Sequence, residues 1–277
     1  MTLPLFAPFE FQFMLNAFIM ICIVSVPASL LSCYLVLKGW ALLGDAIGHA
    51  VLPGIVLAYL LKLPLLLGAF TAGMCCALLT GFFSQNSRIK RDTVMGVVFS
   101  GMFALGLLIY FKVNTELHLD HILFGNIMGI SFTDILVSSV ISIFVTSIVV
   151  LKRLDLLLHS FDPVQCQVIG LNTSFLYYGL LMLVSLTVVA TLSSVGIILA
   201  IGLLIAPGAI AFLITRKFTH MLITAIAVSL MAGIAGVYSS FFFDSAPAPT
   251  VILTFSLIFL IVFSYIKIKK VKFDFNP

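Results

Sequence analysis

Runs of about twenty apolar residues, nearly free of charge, recur along the whole 277-residue chain. A hydrocarbon core roughly 30 Å thick is crossed by about 20 helical residues, so each run is long enough to span a bilayer. The runs cover 14–37, 41–61, 64–83, 94–112, 132–151, 173–193, 196–215, 219–241 and 249–267, which predicts eight or nine crossings. They are continuous rather than alternating with period two, which favours helices over a barrel. Composition agrees: 62% of the residues are hydrophobic and 9% charged, against about a quarter charged in a soluble domain. The fold class expected is an all-α polytopic membrane protein, forming one transmembrane domain over 1–277.

Charge then sets orientation. Arg88, Lys90 and Arg91, Lys152 and Arg153, Arg216 and Lys217, and the tail residues Lys267, Lys269, Lys270 and Lys272 fall on one side if nine spans alternate. By the positive-inside tendency that side is cytoplasmic, with the N-terminus outside and a basic cytoplasmic tail at 267–277. The net charge of +4 is small and says little about nucleic acid, which is not an expected partner; the basic tail suits a secondary contact with anionic membrane lipid. The opening "MTLPLFAPFEFQFML" lacks a basic region and a small-residue cleavage site, so no removable signal peptide is expected. Cys22, Cys33, Cys75, Cys76 and Cys166 lack zinc or disulfide spacing and read as small hydrophobes.

Within the second run, "LLGDAIGHAVLPG" places Asp45 and His49 four residues apart, on one face of a helix, where one cation can touch both. An uncompensated charge at membrane depth costs roughly 3 kcal/mol or more, so such residues normally face a partner or a cavity. Ala46, Ala50, Gly54 and Ala58 form a small-residue stripe beside the pair, suited to a close helix crossing, with Gly44 and Gly48 widening it. Pro53 has no amide proton to give the His49 carbonyl, which makes that oxygen a further candidate ligand. An intrahelical hydrogen-bonded pair beside a proline kink is the other way to satisfy the same residues.

Two loops stand out. "KVNTELHLDHILFGN" carries Glu116, His118, Asp120 and His121 on the outer side, as a solvated loop with a short re-entrant helix or as a metal-collecting vestibule. "RLDLLLHSFDPVQCQVIGLN" is too polar to span, and Asp162 with Pro163 reads as the N-cap and first turn of a short cytoplasmic helix.

In order along the chain, "LVLKGWALLGDAIGHAVLPGIVLAYLL", "RDTVMGVVFSGMFALGLLI", "LDHILFGNIMGIS", "FDPVQCQVIGLN" and "SSVGIILAIGLLIAPGAIAFLIT" resemble the permease subunits of bacterial ABC importers for manganese, iron and zinc. The resemblance implies a type II importer permease with Asp45 and His49 as metal ligands on the translocation path. It implies a coupling helix at about 155–172, for which Phe161, Asp162, Pro163 and Gly170 are the expected contacts with a cytoplasmic ATPase. The implied partners are that ATPase, a second permease subunit, identical or paralogous, and a periplasmic or lipoprotein metal-binding protein, all at the bacterial inner membrane. No cofactor is expected to be held permanently. The divalent metal, Mn²⁺, Fe²⁺ or Zn²⁺, is cargo, and ATP belongs to the partner. Gly48 and Gly208 stand where many relatives have Ser and Ala, and the proline of "HAVLPG" leans toward manganese and iron.

The chain has no G-x-x-x-x-G-K-[ST] loop, so it is not expected to bind ATP or to be an enzyme itself. The absence of HExxH beside the pair argues against an intramembrane metalloenzyme. An ATP-independent secondary cation transporter or channel is the alternative.

Overall fold

The computed structural model describes residues 7–40, 42–112 and 129–274. A 3₁₀ turn at Ala7–Phe9 precedes twelve helices among these residues: α1 (Gln12–Lys38), α2 (Leu43–Ala50), α3 (Leu52–Leu60), α4 (Leu65–Asn86), α5 (Arg91–Lys112), α6 (Phe132–Leu151), α7 (Arg153–Phe161), α8 (Pro163–Val168), α9 (Thr173–Val195), α10 (Ile197–Ile214), α11 (Phe218–Phe242) and α12 (Pro247–Asp274). Among the described residues nine stretches are long and apolar enough to cross a membrane, with α2 and α3 together forming one of them, Leu43–Leu60. All nine coincide with the predicted runs to within a few residues, so among the described residues the upper of the two expected numbers is met. Between the sixth and fifth spans the expectation of one short helix is corrected: Asp162 leaves the helical region (φ −141°, ψ 92°) and divides the segment into α7 and α8.

Helix α1 is the centre of the bundle. Its apolar residues run around all sides, and Met20, Ile21, Val24, Leu31, Tyr34 and Leu35 are all buried. It packs on α10, α11, α6 and α9. One close approach is at Pro207 of α10, where the proline removes one helical hydrogen bond. There the Gly208 N–H donates to Ser32 Oγ (2.9 Å), and the Ser32 hydroxyl donates to the Ile205 carbonyl (3.1 Å). A β-carbon at Gly208 would come within 2.6 Å of the Ser32 backbone, so glycine permits this contact. Ser32→Ala is expected to cost about 1 kcal/mol, since it leaves a buried amide without its acceptor; unfolding of the purified protein in detergent measures it.

The two ends of the bundle differ. At one end Tyr34 donates to the Arg153 carbonyl (3.2 Å) and stacks edge-on with Phe218 (5.1 Å), and Lys38 donates to the His159 carbonyl (3.3 Å). Lys38, Gln85, Thr173 and Tyr177 line one cavity there. The end of α1, the end of α4, and the starts of α9 and α11 therefore share the side that carries the basic connections. At the opposite end Phe9, Phe18, Tyr238, Phe241 and Phe242 form an aromatic cluster, as expected of a membrane interface.

Candidate functional site

Helices α4, α5, α9 and α10 all pack on α2, and three of them meet residues on different faces of it. Ala46 meets α4, where the Cys76 thiol lies 3.9 Å from its carbonyl oxygen. Further along the same stripe, Gly54 and Gly68 abut so closely that a β-carbon on either would strike the other's carbonyl oxygen, with Ala58 and Ala72 alongside. The predicted close crossing is thus made with α4. Gly44 and Gly48 are a correction: they lie against Leu204 and Ile197 of α10, not on the α4 stripe. The third face carries His49, whose ring lies 6.1 Å from that of Phe99 and 5.5 Å from that of Phe103, both on α5.

Held between these neighbours, Asp45 Oδ1 and His49 Nε2 approach to 3.3 Å, with 33% and 31% of their side-chain surface open. Metal to nitrogen or oxygen distances are about 2.1 Å; two donor atoms 3.3 Å apart then subtend about 100° at a shared ion. That angle lies between the octahedral and tetrahedral values, so the separation of the two atoms is compatible with a shared cation. Among the described residues no third His, Cys, Asp or Glu joins the pair. A site with two protein ligands is open, unlike a four-ligand structural zinc site.

Pro53 behaves more mildly than a kink. Val51, between α2 and α3, keeps helical angles (φ −70°, ψ −25°). Its N–H bonds to the Ile47 carbonyl and its carbonyl accepts from Ile55 N–H, each at 3.1 Å. The ladder resumes on both sides of the bond that Pro53 cannot make to the His49 carbonyl.

The segment 153–172 is built by caps. Asp162 Oδ1 accepts from the Val164 and Gln165 amides (2.9 and 3.0 Å), with Pro163 in the first turn, as its sequence predicts. Gly170 closes α8 at φ +85°, a conformation that costs glycine nothing. Asn172 then caps α9 by accepting from Phe175 N–H (3.0 Å). Phe161, Val164, Val168 and Ile169 are exposed on this connection. The last three were not singled out from the sequence, where apolar residues beside membrane spans carry no contrast. Cys166 is buried beneath them, and burial, with Asp162 and Asp155 nearby, pushes its thiol above the ordinary cysteine value. The Glu116, His118, Asp120 and His121 cluster lies outside the described residues.

The profile of the ABC 3 transport family matches residues 10–266, a range that includes both the Asp45–His49 pair and the 153–172 segment. The chain belongs to the ABC 3 transport family. It is 51% identical over 265 residues to the "Chelated iron transport system membrane protein YfeD" of Yersinia pestis, covering 96% of this chain and 89% of that one. It is 41% identical to the "Manganese transport system membrane protein MntB" of a Synechocystis strain, covering 92% and 83%. Among solved structures it resembles "PsaBC from Streptococcus pneumoniae in complex with Fab", with a TM-score of 0.83 and 32% identity, covering 94% of this chain and 96% of that one. The all-α architecture of the described residues is therefore shared with that solved chain.

Proposed function

We propose that this chain is the permease subunit of an ATP-binding-cassette importer that moves manganese or iron into the cytoplasm, with zinc as the alternative cargo. Residues 1–277 then form one transmembrane permease domain at the bacterial inner membrane. Asp45 and His49 are the transient ligands on its path. The observation that carries this reading is an open two-ligand site, 3.3 Å across, inside a membrane span of an ABC 3 chain. The iron and manganese systems named for its relatives point to the same cargo. Carboxylate and imidazole together suit Mn²⁺, Fe²⁺ and Zn²⁺. The open third of each side chain is where a second permease, identical or paralogous, and waters complete the coordination, and where the ion is released again. A periplasmic or lipoprotein metal-binding protein delivers the ion, and a cytoplasmic ATPase supplies the energy.

Residues 155–172 are read as the coupling segment, with Phe161, Asp162, Pro163 and Gly170 at or framing the contact. Phe161 is the exposed apolar contact, while Asp162, Pro163 and Gly170 hold the shape that presents Val164 and Val168 beside it. Asp162→Ala is expected to remove a cap worth about 1 kcal/mol to α8. ATP hydrolysis by the assembled complex should persist while metal uptake falls several-fold, measured together in proteoliposomes. Equal loss of both activities would place the defect in assembly instead. The overall reading is tested by uptake in a reconstituted complex with Mn²⁺, Fe²⁺ and Zn²⁺ in competition. Uptake that needs no nucleotide would make the chain a secondary transporter or channel.

A further inference from the structure

The His49 ring is held by more than its ion partner. Phe99 and Phe103 stand four residues apart on one face of α5, and both rings meet the imidazole. Phe103 does so edge to face (77° between planes), and Phe99 at a shallower 30°. The register that puts them there is set one turn further on. A β-carbon on Gly106 would lie 2.8 Å from the Pro53 nitrogen and 2.9 Å from its Cδ, so α5 sits directly against the proline of the α2–α3 span. Stepping back one turn on each helix brings Phe103 and then Phe99 to His49. Two faces of the imidazole's surroundings are thus hydrocarbon, while its Nε2 faces Asp45.

We propose that Phe99 and Phe103 are positioning and selectivity residues of the ion site. This rests on the reading of Asp45 and His49 as that site. The two rings restrict the imidazole to the orientation that shares an ion with Asp45. When a binding-competent state is only partly populated, apparent affinity falls by that fraction, so removing a ring weakens binding without altering the transport step. The same rings offer no oxygen to the ion. Ca²⁺ requires six to eight oxygen ligands, and Mg²⁺ holds its waters tightly; a hydrocarbon wall replaces none of the water it displaces. Mn²⁺ and Fe²⁺ recover part of that loss from the imidazole nitrogen.

The test uses the complete transporter, permease with its ATPase, in proteoliposomes, with radiolabelled Mn²⁺ as the probe and Ca²⁺ as competitor. Phe103→Leu keeps the bulk and loses the ring. It is expected to raise the KM for Mn²⁺ by about 5- to 10-fold with the maximal rate within about twofold. Phe103→Tyr keeps the ring and should stay within about twofold of the parent in both. Phe103→Asn places an amide oxygen beside the ion, and Ca²⁺ should then inhibit Mn²⁺ uptake at roughly tenfold lower concentration. An unchanged KM in Phe103→Leu, or a fall in maximal rate that Phe103→Tyr shares, overturns the positioning role. Unaltered Ca²⁺ inhibition in Phe103→Asn overturns the selectivity role. Phe99→Leu supplies the same comparison if Phe103→Leu does not assemble. His49→Ala run in parallel separates the two levels: its full activity would remove the site itself, whereas its inactivity beside a silent Phe103→Leu removes only the role of the rings.

Discussion

Replacing Asp45 or His49 with alanine is expected to lower metal uptake by about 100-fold or more, with the permease still assembled on its ATPase. Loss of a partner in the outer shell of a metal site typically costs 10- to 100-fold, and these two side chains are proposed as the ligands themselves. Among the described residues no third His, Cys, Asp or Glu stands beside them to take over. Assembly should survive, because the contacts that place α2 belong to other residues: Ala46 toward Cys76, Gly44 toward Leu204 and Gly48 toward Ile197. Asp45→Asn is the stricter variant. It keeps the shape and an oxygen but removes the negative charge that balances a divalent ion, and it should be nearly as inactive as alanine. Uptake in proteoliposomes, beside size-exclusion chromatography of the complex, reads the two effects separately. Retained uptake in any of the three would mean that the pair is only an intrahelical contact.

The legibility of this protein in its sequence was uneven for physical reasons. Spans are legible because the bilayer imposes a length: 132–151 was predicted, and α6 occupies Phe132–Leu151. The acid and the imidazole are legible because ionisable residues at membrane depth are costly and therefore rare. Local caps such as Asp162 and Pro163 are legible because they act within four residues. Neighbours are another matter. Gly44, Gly48 and Ala46 lie within five residues of one another, yet glycines at 44 and 48 face α10 while alanine 46 faces α4, and nothing in a single run of small residues says which helix each will meet. Phe99 and Phe103 were hidden for a similar reason. Their four-residue spacing is visible, but 26 phenylalanines in the chain give no contrast, and it takes the packing of α5 on α2 and α3, with Gly106 against Pro53, to bring these two to His49. The division of 153–172 into two helices depends on Asp162 ending α7 as well as starting α8, and a sequence signal for the second role does not reveal the first.

The crossing of α3 with α4 leads to the other large expectation: Gly54→Leu or Gly68→Leu should leave almost no folded permease. A β-carbon on Gly54 would strike the Gly68 carbonyl oxygen and come within 2.6 Å of the Ala72 β-carbon, and the reverse holds for Gly68 against Gly54 and Ala58. Overpacking a core with side chains that can move costs about 1–3 kcal/mol; here the obstructing atom is backbone, so no rotamer change relieves it and the helices themselves must separate. Close approach of small residues is what drives such helices together in a membrane, where burial against lipid offers no hydrophobic gain. Gly179→Ala, with open space around the added carbon, is the matched control and should be tolerated. Monodisperse yield from detergent extracts measures each. Even Gly54→Ala should fail in part, and trimming Ala72 to glycine in that background should not restore it, because the Gly68 carbonyl remains in the way. Full rescue by Ala72→Gly would show that side chains, not backbones, limit the approach. It would also mean that the α3–α4 crossing contributes less to placing Asp45 and His49 beside α5, since α2 and α3 are one span.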